Sequence, residues 1–478
     1  MSLNFCDVLV LGSDLSGVVA ATLLAKRGMN VLVLDDDEDR DRFPPVITGL
    51  ETRIFKGLMS KLMIPESKLQ FFQQNRVSCQ LILPRHRLDF TPDRDYFLKE
   101  VGREFPTDKE VVRDYLSELD RLGEKWLEPL FSLLPLSTRQ DSKQFGQWLE
   151  KFPDEKAASL WEKMSPEMQD SLKLILGFLS RTPLVEPIHL QLLLYLSPEN
   201  SATFSLKGGL RGIKKVFYEK LDYFGGLVHP LGSNEFKVLA RGREVRGIKL
   251  SSLGYPTRCR FLIGNMNFQR FYDALPTTLW SYFAKKRARE IPLLPPSCPV
   301  QFEVARNFLP APMQENLILV DDPKQPLEGL NYLEINLSSL PHGDEENLLL
   351  TASYLLSPSD HNADFFENLH ATIEQRLRKL IPFAGENLRR VFPRLNSPEA
   401  HNPSLFPDDG DLASFLQTAQ KRRGLPSSLF SPKCSTPFKN ALSLGPNILP
   451  WMGTEGKVLA GLRGVELVWN QESKVKKN

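Results

Sequence analysis

The sequence predicts an α/β protein, and three observations carry that reading. From Cys6 to Leu34, a Val- and Leu-rich run, a glycine turn, a helical stretch and a second apolar run follow one another. From Thr107 to Leu196 the pattern is helical. From Val300 to Leu356, four runs alternate apolar and polar residues, as in a mostly antiparallel sheet with one solvated or ligand-facing side.

Each element has a local reason. Cys6 to Leu11 is short and apolar, like a strand buried on both faces of a parallel sheet. Leu15 to Arg27 carries Leu15, Val18, Val19, Thr22, Leu23 and Ala25 at helical spacing, and Gly28 follows as a terminator. Asn30 to Leu34 is the next strand. "RVSCQLIL" and "HRLDF" read as two short strands. Thr107 to Glu110 reads as a capping box opening an amphipathic helix through Val111, Val112, Tyr115, Leu116 and Leu119. "SLKLILGFLSRTPL" and "IHLQLLLYLS" read as core helices. "FSLKGG" is a strand and turn before a helix from Leu210 to Phe224, which Gly225-Gly226 ends. "LVHPL", "EFKVLARG", "EVRGIKLSS" and "RFLIGNM" are strands. Asp364 to Ile381 is an amphipathic helix, and "NILPWMGTEGKVLAGLRGVELV" is a strand end, a glycine turn and a helix.

Composition narrows the function classes. A net charge of +2 over 478 residues gives no bulk attraction for nucleic acid. The five cysteines are scattered, form no C-x-x-C pair and are odd in number, so a disulfide framework is not expected and a reducing cytoplasm is. No run of 18 apolar residues predicts a spanning helix, and the N-terminus lacks the basic start of a secretory signal. The seven histidines are dispersed without metal-ligand spacing, so no metal is expected.

The turn between the first strand and helix reads Gly12-Ser13-Asp14-Leu15-Ser16-Gly17, a G-x-G-x-x-G fingerprint with aspartate at its second glycine. This βαβ opening, a helical insertion, "FSLKGGLRGIKKVFYEKLDYFGGLVH", "RFLIGNMNFQRFYDALP", the antiparallel block and "PNILPWMGTEGKVLAGLRGVEL" follow one another in an order that resembles the FAD-dependent phytoene desaturase and amine oxidase superfamily. "LPRHRLDFTPDRDYFLKEV" also resembles a family segment. The resemblance spans Asp7 to about Val468. It implies a discontinuous Rossmann-like FAD/NAD(P)-binding domain (residues 1–75, 200–270 and 435–478) and a helical and antiparallel-sheet substrate or cap domain (76–199 and 271–434). The implied activity is hydride transfer from a hydrophobic, lipid-like substrate to flavin. The cofactor-binding residues it implies are Gly12, Asp14, Leu15, Ser16 and Gly17 in the first turn. Asp35 would meet the ribose, and Gly453, Thr454, Glu455 and Gly456 belong to the C-terminal motif. No catalytic side chain is identified.

Three departures bear on that cofactor. Asp14 stands where the backbone should approach a diphosphate. A carboxylate about 5 Å from a phosphate charge costs on the order of 3 kcal/mol at an effective dielectric near 20. Asp14 also suits an N-cap, accepting the N–H of Ser16 or Gly17, so the chain would carry its own anion. The stretch Asp36 to Arg42 is acidic where the family has glycines. Trp451 stands at a usually small position, and Glu455 adds a carboxylate. The alternative is therefore a cofactor-free relative that binds a lipid, an isoprenoid or a partner protein on the same scaffold, as Rab GDP-dissociation inhibitors do. Peripheral membrane contact is compatible with either reading.

Overall fold

The protein is described from a computed structural model covering residues 5–36, 47–48, 53–69, 72–135, 137, 139–152, 155–180, 188–197, 201–206, 209–231, 236–251, 256–289, 297–323, 325, 331–340, 346–355, 363–392, 433–449 and 452–475. The α/β architecture is present, built among the described residues on two seven-stranded sheets and a small three-stranded one.

The first sheet runs Leu227–Pro230, Val31–Asp35, Phe5–Leu11, Thr257–Gly264, Glu244–Leu250, Phe236–Arg241, with Ala441–Ser443 pairing Thr257–Gly264. Its first four strands are parallel; Glu244–Leu250 and Phe236–Arg241 add an antiparallel flank. Val8, Leu9, Val10 and Leu11 are all buried, which is why that run is continuously apolar. The helix Leu15–Lys26 follows the first strand, and Gly28 at φ +82° turns the chain back into Val31–Asp35. Gly225, at φ +81°, closes the helix Gly209–Tyr223 in the same way.

The second sheet is ordered Arg389–Phe392, Ser297–Ala305, Asn347–Leu355, Tyr332–Ser339, Asn316–Val320, Cys79–Ile82, Arg87–Phe90. Its four central strands are the alternating runs, antiparallel throughout. The helix Ala363–Leu380 buries Leu369, Ile373 and Leu377 against Val300, Phe302 and Leu350 of this sheet. Cys79–Ile82 joins in parallel with Asn316–Val320, a long-range pairing that strand periodicity alone does not indicate. Ile47–Thr48, Thr203–Leu206 and Phe72–Gln74 form the small sheet.

The helical stretch contains Lys109–Leu133, Arg139–Glu150, Glu155–Glu162, Pro166–Ser180 and Ile188–Leu196. One core joins it to the first helix and to the C-terminal helix Gly453–Val475. The expected capping box at Thr107 is not what opens Lys109–Leu133. Asp108 is the N-cap and makes no side-chain bond to its own helix. Its carboxylate instead accepts the N–H and hydroxyl of Ser165, both at 2.7 Å. A buried carboxylate takes the two donors that reach it, wherever they lie in sequence. The expectations about Trp451 and residues 37–42 concern positions outside the described residues.

Candidate functional site

The geometry of the first turn follows from strand register. Leu11 pairs with Gly264 in the parallel sheet, so the next residue of that strand's exit, Asn265, falls against Gly12. Asn265 N–H donates to the Leu11 carbonyl at 2.7 Å. Gly12 sits at φ +99°, and a Cβ there would strike the Asn265 backbone. The buried Asn265 side chain then closes the turn from below. Its Nδ2 donates to the carbonyls of Asp14 (2.7 Å) and Gly12 (3.1 Å). Its Oδ1 accepts from Gly17 N–H (2.8 Å), and the Ser16 hydroxyl oxygen lies 3.0 Å from it. Gly17 is glycine because a side chain there would occupy the volume of Asn265. Leu15 begins the helix and points into the core.

Asp14 caps the first helix. Its Oδ1 accepts the Ser16 N–H at 3.1 Å and the Ser16 hydroxyl at 2.7 Å. Its Oδ2 receives Lys457 Nζ at 2.6 Å, from the C-terminal helix 443 residues away. Burial pushes the Asp14 carboxyl up, but the Lys457 charge and the bonds from Lys457 and Ser16 outweigh it and hold the group below the ordinary carboxylate range.

A second carboxylate stands beside it. Asp36 Oδ1 accepts both the N–H and the hydroxyl of Ser13 at 3.0 Å. Its other oxygen is buried without a hydrogen bond, with Arg270 at 3.8 Å. Buried Lys214 reaches the Ser13 hydroxyl at 3.2 Å. Burial lowers its pKa, and the surrounding charges of Asp14, Asp35 and Asp36 offset part of that. Asp35 ends the second strand, and its Oδ2 accepts the Tyr218 hydroxyl at 3.0 Å. Burial, then the Asp35 charge, push that phenol up.

The C-terminal motif approaches from the other side. Leu449 and Gly453 both have φ +53°, and Gly453 opens the C-terminal helix near the side chains of Thr48 and Tyr195. A left-handed, fully buried leucine is a strained position, of a kind that clusters at functional sites. Thr454 and Glu455 are buried, and Gly456 packs on the Leu449 carbonyl. Burial and the Glu455 charge push the Tyr195 hydroxyl up.

Of the residues singled out from sequence, Gly12 to Gly17 form one turn, with Asp35 at the end of the neighbouring strand. Lys457, one residue past Gly456, ties the C-terminal motif to that turn. Sequence reasoning missed Asn265, Lys457, Lys214 and Tyr218, and read Asp36 only as part of an acidic stretch. Asn265 is findable in principle, as a polar residue directly after a buried strand. Lys457 carries no such signal, because its partner is distant in the chain.

The amides decide how a dinucleotide diphosphate fits this turn. Gly12 N–H goes to Leu34, Ser13 to Asp36, Asp14 to Asn265, Ser16 to Asp14 and Gly17 to Asn265. A diphosphate would have to displace Asp14 from Ser16. Lys457 already neutralises Asp14, and Lys214 lies beside Ser13 among the charges of Asp35 and Asp36.

No family model matches the chain, and no curated protein matches it. Solved structures do. An oxidoreductase from Methanosarcina mazei superposes with a TM-score of 0.59 at 13% identity, covering 96% of this chain and 100% of that one. A protein from Pyrococcus furiosus gives 0.56 at 13%, covering 97% of each. A mutant of putrescine oxidase, made in a redesign of its cofactor binding, gives 0.54 at 15%, covering 98% and 99%. The chain therefore has the Rossmann-type α/β fold of solved oxidoreductases along nearly its whole length. Among the described residues, no helix is long and apolar enough to cross a membrane.

Proposed function

We propose that this protein is an FAD-dependent oxidoreductase that takes a hydride from a hydrophobic, phytoene- or amine-like substrate. One observation carries the reading: two amines, Lys457 and Lys214, converge on the altered glycine turn. Lys457 neutralises the carboxylate at position 14, so the roughly 3 kcal/mol of repulsion toward a phosphate is offset locally, and Lys214 stands against the charges of Asp35 and Asp36. In this reading Gly12 to Gly17 receive the diphosphate, Asp35 orients the ribose, and Gly453 to Gly456 lie on the flavin side. The flavin, when bound, supplies the hydride acceptor; the chain supplies orientation, charge and exclusion of water.

A second reading rests on the amides. Every N–H from Gly12 to Gly17 except that of Leu15 has an internal acceptor among the described residues. A cofactor-free relative holding a lipid or a protein partner needs no more than that.

The absorbance spectrum of the purified protein, followed by FAD titration, separates the two. Bound flavin absorbance, or a melting point raised by several degrees at saturating FAD, supports the enzyme; at 100-fold excess over Kd the stabilisation is about 2.7 kcal/mol. A colourless protein that neither binds FAD nor is stabilised by it ends the enzyme reading. If Asp14→Gly then creates FAD binding, the carboxylate is the resident anion of an empty-by-design seat.

A further inference from the structure

The helix Leu279–Arg289 is mounted with its small residues inward. Ser281 and Ala288 are buried, and Ala284 packs against the core beside the first sheet. Its large apolar residues face out: Leu279 is 88% exposed, Trp280 62%, Tyr282 58% and Phe283 73%. An amphipathic helix normally turns such residues to the core. The orientation is fixed at its start. Ser281 N–H donates to Thr278 Oγ1 at 3.2 Å, Thr278 N–H donates to Ser281 Oγ at 2.8 Å, and that hydroxyl donates to the Pro276 carbonyl at 2.6 Å. Rolling the helix to hide the aromatics would break this cap and drive them into space sized for alanine.

Positive charge surrounds the aromatic cluster. The Arg243 guanidinium lies 5.1 Å over the Trp280 ring. One turn along the helix come Lys285, exposed Lys286 and Arg289. Asp273 is the facing acid: its side chain pairs with Arg289 at 3.0 Å, and its carbonyl accepts Lys285 at 3.1 Å. Arg243 and Lys286 remain on the surface as cations beside a contiguous apolar patch.

We infer that the end of this helix is a docking surface for an anionic lipid bilayer. An 11-residue helix is about 16 Å long, too short to span a bilayer and long enough to lie in its interface. Trp and Tyr favour the headgroup level, Leu and Phe reach the acyl boundary, and Lys and Arg meet anionic headgroups. Four large apolar side chains exposed on one short helix and rimmed by cations mark an interaction site. The inference goes beyond the flavin reading and does not depend on it.

The test is co-sedimentation of the full chain with phosphatidylcholine vesicles, with and without about one-third phosphatidylglycerol. Wild type should pellet with the anionic vesicles, with a blue shift of tryptophan emission. Trp280→Ser/Phe283→Ser should weaken that binding about tenfold or more while leaving the melting point unchanged, because both side chains are exposed. Lys286→Glu, which keeps the aromatics, should weaken binding selectively on the anionic vesicles. Wild type that stays in the supernatant, or a double variant that pellets like wild type, overturns the inference. So does a concentration-dependent dimer that the double variant abolishes without any lipid binding, since the patch would then cover a second copy of this chain.

Discussion

Asp14 answers two demands with one carboxylate: it caps a helix and it holds a distant lysine. Neither bond survives alone in the same form, because removing Lys457 would leave a largely buried charge facing a helix N-terminus with only Ser16 as partner. Asn265 is the residue on which the turn rests. Its amide meets four groups of the glycine turn, all buried or nearly so. Asn265→Ala should destabilise the fold by about 3 kcal/mol or more, since several donors and acceptors lose their partners at once. Urea unfolding would read this as a fall in the midpoint at constant slope. An unchanged midpoint would mean that water replaces the side chain and that Asn265 does not hold the turn.

At the scale of elements, the first and last helices behave as one unit. Gly461 allows them to touch: a Cβ there would lie 2.6 Å from the Ser16 carbonyl and 2.8 Å from Val19 Cγ1. Four residues earlier on the same helix, Lys457 reaches Asp14, so the close approach sets the reach of the ion pair. Gly461→Val should force the helices apart, costing about 1–3 kcal/mol as other overpacked cores do. It should also weaken FAD binding if that turn is the diphosphate seat. A variant with wild-type stability would show that the helix contact yields without loss. The pattern of the first βαβ unit was readable because its strands are buried on both faces and its helix on nearly all sides. The capping of Lys109–Leu133 was misread because Asp108 serves a different helix, and local sequence does not record which of two helices a carboxylate faces.

For the whole molecule, acid stability gives a direct measurement. Glu118 is buried in the helical region and bonded to Arg121 and Lys156; hydrogen bonding to Arg121 first, then to Lys156, brings its carboxyl down to about 2 from the ordinary 4.5. A depressed carboxylate stabilises the fold above its unfolded-state value, and that contribution is lost as pH falls from 4.5 toward 2. Asp14 is shifted in the same direction and adds to the slope. Thermal unfolding in this range should show a steep loss of stability, and Glu118→Gln should flatten it, lowering stability at neutral pH by about 2 kcal/mol. An identical pH slope in the variant would place the acid sensitivity elsewhere.

The class of fold, the βαβ opening, the antiparallel block and the glycine turn are legible in the order of amino acids alone. These depend on periodicity and on backbone positions that tolerate few residues, and both are written locally. What the odd aspartate does follows from packing. Its neutralising lysine, the asparagine beneath it and the outward aromatics of Leu279–Arg289 depend on which surfaces meet. Charges and amides hundreds of residues apart become partners through register and helix packing, and no local pattern carries that information.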